Sequence, residues 1–211
     1  MFDETHRDAD PADPAGRGPA WYQGPVPIEH RAGPFTFVPL TIDLVEEDYA
    51  AVLASAEHLR WWSDSTWPTD DFSVAENLQD LVWHDEEHHD RVAFTYSVLD
   101  AAALTDGTRR VVGCLYIRPF TSACSTRGVA CPTDLLDSED AVARGWLIDD
   151  LAADRDDLAT TVLSWLQSEA WQFGGAWWQD RITDTDAELN KPAGARVIGQ
   201  WMFRRGGVRF E

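Results

Sequence analysis

Two apolar runs joined by a short polar turn constrain the fold of this chain more than any other feature of its sequence. The runs cover residues 91–100 and 109–119, are rich in β-branched and aromatic side chains, and are separated by Thr-Asp-Gly at 105–107. An Asp-Gly pair between two such runs is typical of a β-hairpin. The chain is therefore predicted to place these two strands side by side in a sheet.

Helices and further strands are predicted on both sides of this hairpin. Strands are indicated at 34–42, 141–148, 176–182 and 208–210. Apolar residues at helical spacing indicate helices at 46–62, 73–89, 158–171 and 195–205. Residues 120–139 are predicted to form a loop, and long ordered loops are often functional. This order predicts an α/β (α+β) fold, in which helices flank a mixed, largely antiparallel central sheet.

The charge of the chain is strongly negative, which limits the partners that it can bind. Lys and Arg number 17 against 37 Asp and Glu, so the net charge is −20. Such a surface repels phosphate backbones and anionic membranes, and we predict neither a nucleic acid nor a membrane as a partner. A cationic small molecule is the kind of partner that this charge favours.

Residues 1–20 differ in composition from the rest of the chain. They are rich in Asp, Pro, Ala and Gly, and we predict a disordered, acidic and Pro-rich tail. Residues 21–211 are expected to form one domain, because this length can bury a sizeable core. The sequence shows no secretory signal and no apolar run of about 18 residues, so a cytoplasmic location is expected.

The cysteines and histidines do not have the spacing of a metal site. Cys114, Cys124 and Cys131 include no Cys-x-x-Cys pair, so neither a disulfide framework nor a zinc ribbon is expected. His84 and His88 share one face of a predicted helix, which is the spacing of a metal pair. Because no third ligand accompanies them, we interpret this face as solvated and predict no metal.

Three stretches of the chain carry a recognisable pattern. They read Phe-Thr-Tyr-Ser-Val-Leu-Asp at 94–100, Val-Val-Gly-Cys-Leu-Tyr-Ile-Arg-Pro at 111–119, and Ala-Arg-Gly-Trp-Leu-Ile at 143–148 with a helix behind it. Together they resemble bacterial proteins of the GNAT (acyl-CoA N-acyltransferase) superfamily. The resemblance implies a GNAT-like sheet and a cleft where strand 141–148 diverges from strand 176–182. It also implies acetyl-CoA or another acyl-CoA as the co-substrate.

The resemblance further implies where the co-substrate lies. The pantetheine arm would run along strand 141–148, where a backbone N–H polarises the thioester carbonyl, and the pyrophosphate would meet the next helix at its start. The positions lining the pantetheine would be Trp146, Leu147 and Ile148. The positions near the phosphates would be Arg155, Asp157, Leu158 and Ala159.

The phosphate-binding loop departs from the pattern of the family, which is Gln/Arg-x-x-Gly-x-Gly/Ala. This chain has Asp154-x-x-Asp157-x-Ala159, and only the last position agrees. Glycine lets the backbone approach a phosphate closely, whereas an aspartate adds bulk and negative charge. The alternative interpretation is that Asp156 and Asp157 cap the helix and complement its dipole.

The sequence indicates the catalytic residues less directly than the positions that would bind the co-substrate. Asp149, which follows strand 141–148, is the candidate general base, and the alternative is a solvated or capping aspartate. Phe203 occupies the position where the family has a late tyrosine that acts as general acid.

Two functions are compatible with the sequence. The first is an N-acyltransferase, such as an acetyltransferase, that transfers an acyl group to an amine of unknown identity. The second is a non-catalytic GNAT-fold module that binds a ligand or a protein and has lost CoA binding. Under either function we predict a pocket between residues 146–149 and 177–180, rimmed by Asp149 and Asp180 and reported by the fluorescence of Trp146.

Overall fold

The computed structural model describes residues 20–125, 130–133, 140–182, 195–198 and 200–206. The strands in these ranges are β1 (His30–Ala32), β2 (Phe35–Pro39), β3 (Phe94–Asp100), β4 (Val111–Pro119), β5 (Ala141–Leu147), β6 (Ala176–Arg181), β7 (Arg196–Ile198) and β8 (Trp201–Arg205). The α-helices are α1 (Val45–Ala54), α2 (Ala56–Ser63), α3 (Val74–Asp90), α4 (Ala101–Thr105), α5 (Phe120–Ser125) and α6 (Arg155–Leu166). None of the helices in the described ranges has both the length and the apolar character of a membrane span.

The strands form one sheet in the order β1-β2-β3-β4-β5-β6-β8-β7. The pairs β1/β2, β2/β3, β6/β8 and β7/β8 are antiparallel, whereas β5 and β6 are parallel. The predicted fold class, a mixed and largely antiparallel sheet with flanking helices, is confirmed.

The chain divides into two compact units, and each is described by itself. The first holds residues 20–23, Ile28–Leu115 and Trp146–Arg155. The second holds Gly24–Pro27 and the described residues within 116–145 and 156–206. The expectation that residues 21–211 form one domain stays a prediction.

The core of the first unit forms between its strands and α3. Phe37 on β2 and Phe94 and Tyr96 on β3 are fully buried. α3 begins at the predicted position because Ser73 and Glu76 form a capping box. The Glu76 N–H donates to Ser73 Oγ at 3.3 Å, and the Ser73 N–H donates to Glu76 Oε2 at 2.8 Å.

The predicted helix 46–62 is interrupted at Ser55, which separates α1 from α2. Ser55 has φ −130° and ψ 21°, which lie outside the helical region, and its side chain is buried. Helical periodicity alone could not show this interruption, because the apolar spacing continues across it. The hydroxyl of Ser55 accepts a hydrogen bond from the N–H of Asp149, 94 residues further along the chain.

The connection between β3 and β4 is longer than the predicted Asp-Gly turn. α4 occupies it, because the carboxylate of Asp100 caps this helix by accepting from the N–H groups of Ala102 at 2.9 Å and Ala103 at 3.3 Å. Gly107 has a φ of 78°, a conformation that glycine adopts without strain. β3 and β4 are nevertheless hydrogen-bonded neighbours in the sheet, as the hairpin pattern predicted.

Two predicted helices differ from the structure. The helix predicted at 158–171 is α6, which begins three residues earlier and ends at Leu166. The helix predicted at 195–205 is wrong, because this segment forms β7 and β8. β8 pairs with β6 from Trp177↔Arg205 to Arg181↔Trp201, and these ladder bonds stabilise a strand there.

Other predictions concern segments that are only partly described. The first residues of the predicted loop 120–139 form α5, and 126–129 and 134–139 lie outside the described residues. The tail predicted at 1–20 lies outside them except for Ala20, as does the strand predicted at 208–210.

The second unit has its own apolar core, around Phe120, Val142, Trp177 and Phe203. A buried carboxylate supports the start of its parallel strands. Asp140 accepts a hydrogen bond from Trp177 Nε1 at 2.7 Å, and a Cβ at Gly175 would lie 2.8 Å from both carboxylate oxygens of Asp140. Position 175 therefore requires glycine, because a side chain would displace this buried carboxylate.

Asp48 is a buried carboxylate on α1, and it accepts a hydrogen bond from Asn77 Nδ2 on α3 at 3.0 Å. Burial raises the pKa of Asp48 to about 6, against the lowering effects of Asn77 and His84, and Asp80 adds to the rise. A carboxyl whose pKa is raised on folding contributes most to stability at pH values below its pKa in the unfolded chain, which is 3.8. That contribution is lost as the pH rises from there through about 6.

We therefore expect Asp48→Asn to raise the free energy of unfolding by about 1–2 kcal/mol at pH 7.5, because each pKa unit corresponds to about 1.4 kcal/mol. The difference between variant and wild type should vanish below about pH 4 and reach its full value above pH 6, in denaturant titrations across this range. Asp71→Asn is the matched control, because Asp71 is exposed and a hydrogen bond from Thr69 lowers its pKa. A variant at position 48 that is less stable at pH 7.5 would contradict the prediction.

Candidate functional site

The parallel ladder between β5 and β6, in the second unit, is short. It consists of Ala141↔Ala176, Val142↔Trp177 and Ala143↔Trp178. β5 continues to Leu147 and β6 to Arg181, but within the described residues they form no further pair with each other. β6 remains paired along its other edge with β8. The parallel ladder thus ends at Ala143↔Trp178.

The end of β5, in the first unit, contains the residues predicted to line a pantetheine. The side chains of Trp146, Leu147 and Ile148 are buried. The Ile148 N–H donates to Val112 O at 2.9 Å, and a Cβ at Gly113 would lie 2.0 Å from Trp146 O. These side chains are packed in the core of the unit and are not available to a ligand.

Asp149, the predicted general base, begins a short 3₁₀ helix that runs from Asp149 to Asp154. Its N–H donates to Ser55 Oγ at 3.1 Å, which accounts for the break between α1 and α2. Its carboxylate accepts from Arg155 Nη2 at 3.1 Å, and the same nitrogen lies 3.4 Å from Leu147 O. The structure thus brings Asp149, Arg155 and the end of β5 together.

His58 on α2 is a site residue that the sequence did not indicate. Its ring is tilted against Trp61 at a centroid distance of 5.8 Å, and its buried Nε2 makes no hydrogen bond within the described residues. Burial lowers the pKa of His58, the positive charge of Arg155 lowers it further, and Asp149 partly opposes them. The imidazole is therefore held neutral near pH 7. No local pattern in the sequence marks it.

The segment that aligns with the phosphate-binding loop is helical. The 3₁₀ helix leads directly into α6 at Arg155, and the Leu151 N–H already donates to Ile148 O at 2.9 Å. The sequence from 149 to 159 contains no glycine and five aspartates. Arg155, its one cation, is bound to Asp149.

The residues predicted for the phosphates beyond Arg155 belong to the second unit. Leu158 and Ala159 are buried and form part of the core-facing side of α6, whereas Asp157 is exposed in its first turn. Asp156 lies 3.8 Å from Arg204, which also binds Asp180 at 2.8 Å. This helix start is therefore rich in negative charge and does not fit a pyrophosphate in the manner of the family loop.

The structure also shows the surroundings of His84, His88 and Phe203. His84 and His88 are not on a solvated face: His84 is buried against Glu87 at 2.9 Å, and the His88 ring lies 3.3 Å from Thr95 O. No group of three potential metal ligands occurs within the described ranges. Phe203 is buried in the core of the second unit and contributes no acid.

Comparisons with known proteins complete the description. No protein-family model and no curated protein sequence matches the chain. The fold matches that of the ribosomal-protein-S5-alanine acetyltransferase from Vibrio fischeri, with a TM-score of 0.54 and 10% identity, over 86% of this chain and 97% of that one. It also matches the microcin C7 self-immunity acetyltransferase MccE, solved with acetyl-CoA and AMP, with a TM-score of 0.53 and 8% identity over 84% and 93%.

A third similar structure is RimL, the ribosomal L7/L12 α-N-protein acetyltransferase in complex with coenzyme A. Its TM-score is 0.52 at 10% identity, over 86% of this chain and 96% of that one. At such identities the likeness shows the fold alone. The chain has the GNAT fold, as the sequence resemblance implied.

Proposed function

We propose that this chain is an N-acyltransferase that transfers an acetyl or other acyl group from acyl-CoA to an amine. The observation that supports the proposal is the three-pair ladder between β5 and β6. The ladder ends at Ala143↔Trp178 although β5 continues to Leu147, and the amide groups of a pantetheine arm can pair with the edge of a strand. The similar structures that were solved with acetyl-CoA or CoA support the same assignment.

The two halves of acyl-CoA do not fit equally well. The pantetheine half would run along β5 at Trp146, Leu147 and Ile148, which carry no charge. The phosphate half would meet Asp157 at the start of α6, with Leu158 and Ala159 too buried to contact it. We therefore propose that acyl-CoA binds weakly and mainly through pantetheine. No step of the reaction is assigned to the phosphates.

The residues near the end of β5 are suited to proton transfer. The amine that attacks a thioester must lose a proton, and the thioester is the chemistry that acyl-CoA supplies. Asp149 remains the base proposed from the sequence, and His58 is a second candidate because its imidazole is held neutral. Arg155 would hold the carboxylate of Asp149 in place, and its positive charge would keep the pKa of His58 low.

The acceptor is proposed to be a cationic amine, because the net charge of −20 attracts cations and repels nucleic acids. It can be a small molecule or the amino terminus of a protein, and two of the similar structures are acetyltransferases of ribosomal proteins. Cys114, Cys124 and Cys131 form no disulfide, which suits a reducing cytoplasm, where we place the reaction.

A non-catalytic binding module is the second candidate function. It is favoured by the 3₁₀ helix at Asp149–Asp154, which replaces the phosphate-binding loop, and by the five aspartates around it. In that case the chain would bind a cationic ligand or protein without any acyl-CoA.

Calorimetric titration with acetyl-CoA at low salt distinguishes the two functions. We expect measurable but weak binding to the wild type, and about fivefold tighter binding to Asp157→Gly, because removing a carboxylate beside a phosphate is worth on the order of 1 kcal/mol. The same variant should lose up to about 1 kcal/mol of stability, since a favourable charge leaves the first turn of α6. Glu29→Gln, which removes an exposed carboxylate near β1, is the control and should bind like the wild type. Absence of binding to both wild type and Asp157→Gly would favour the binding module.

A further inference from the structure

Two thiols of the second unit pack in one apolar cluster. Cys124 is buried near the end of α5, and Cys131 is partly exposed in the described segment 130–133. They are separated by seven positions in the sequence, so neither forms part of a Cys-x-x-Cys motif.

Their surroundings are apolar. Cys124 belongs to the core cluster that contains Phe120, Trp177 and Trp201, and Cys131 packs against that cluster. Burial and the neighbouring Cys131 raise the pKa of the Cys124 thiol to about 12. Cys124 is therefore protonated at neutral pH and is a slow nucleophile until a partner sulfur is presented to it. Cys131 is the thiol that a reagent from solution can reach first.

We propose that Cys124 and Cys131 form an oxidation-sensitive dithiol that reacts with low-molecular-weight disulfides and chelates trivalent arsenic. The thiolate of Cys131 attacks the disulfide, one sulfur of the reagent becomes bonded to Cys131, and the other leaves as a thiol. Cys124 then attacks Cys131 Sγ, which forms the protein disulfide and releases the second thiol. One reagent disulfide is reduced to two thiols while the two protein thiols are oxidised, and each protein proton ends on a released thiol.

The crosslink would join α5 to the segment 130–133. Both lie on the core that supports the Val142↔Trp177 pair, one of the three pairs in the β5/β6 ladder. Because disulfides quench neighbouring indoles, the fluorescence of Trp177 and Trp201 should decrease on oxidation. The dithiol would thus link the redox state of the solution to the part of the sheet where β5 and β6 cease to pair.

The experiment incubates the full chain with oxidised glutathione, alkylates the remaining thiols and maps the peptides by mass spectrometry. We expect the three alkylatable cysteines to fall to one, Cys114, with Cys124 and Cys131 recovered as one crosslinked peptide. Cys114→Ser is the matched control, because Cys114 is also buried and forms no disulfide, and this variant should form the same crosslink. Glutathione that remains on Cys131 without a crosslink, or a disulfide that involves Cys114, would overturn the proposal.

A second probe tests the dithiol without relying on oxidation. Phenylarsine oxide should bind the wild type in equimolar amount, and Cys131→Ser should bind it at least about 100-fold more weakly, because a chelate requires both sulfurs. If the variants fail to fold, titration of the wild type alone decides the matter. A wild type that binds no more tightly than a monothiol such as free cysteine would refute the dithiol.

Discussion

Gly113→Ala should cost about 3–5 kcal/mol of stability, enough to unfold a large fraction of the protein at moderate temperature. A Cβ at position 113 would lie 2.0 Å from Trp146 O and 3.0 Å from the Trp146 carbonyl carbon. These are backbone atoms of β5, so no side-chain rotation can make room. β4 and β5 would have to separate, which would strain the nearby bond from Ile148 N to Val112 O. Thermal and urea unfolding followed by circular dichroism measure the loss.

Gly206→Ala is the matched control for this prediction. A Cβ at position 206 would lie 2.8 Å from the end of the Gln167 side chain, which is also too close. This side chain can move at little cost, unlike the backbone of β5. We expect a change of less than about 1 kcal/mol. If the two variants had equal stability, the close approach of β5 to Gly113 would not be a feature of the folded protein.

If His58 rather than Asp149 is the general base, His58→Gln should lower kcat/KM by about 100-fold, the contribution of one such group. The test uses acetyl-CoA and the best acceptor from a panel of cationic amines. In the wild type, activity should rise with pH along a limb centred below 6.5, because burial and Arg155 lower the pKa of His58 from that value. The limb should be absent from the variant, since glutamine does not titrate in this range.

Two further variants connect this limb to the structure. Arg155→Gln removes a charge that lowers the pKa of His58, so the limb should move to higher pH. Asp149→Asn removes a charge that raises it, so the limb should move to lower pH. NMR titration of the His58 ring measures the same shifts without an acceptor. If Asp149→Asn abolishes activity while His58→Gln retains the wild-type profile, the base is Asp149 and the assignment to His58 is wrong.

Much of the fold could be predicted from local sequence patterns. β3 and β4 were identified because their β-branched runs are continuous, and α3 because apolar residues recur at helical spacing through 73–89. Residues 196–205 were misassigned because their strand conformation depends on pairing with β6, which a local pattern does not contain. The break at Ser55 was missed for the same reason, since its hydrogen-bond partner is Asp149.

The candidate site was predictable only in part. Asp149 and Arg155 adjoin the end of β5 in sequence, and the structure places them in contact with each other. His58 approaches them through the fold of the first unit, and no short motif contains it. The burial of Leu158 and Ala159 follows from the apolar face of α6, so their proposed role at the phosphates rested on alignment with a family loop that this chain does not form.

The hydrogen bond from Asp149 N to Ser55 Oγ joins positions that are 94 residues apart. A capping box such as that of α3 forms from neighbours and can appear early in folding, whereas this contact must first close a long loop of chain. Ser55 precedes the helix that carries His58, and Asp149 precedes Arg155. The base candidates and their guanidinium partner therefore assemble in one event, and a local opening of either segment dismantles all of them together.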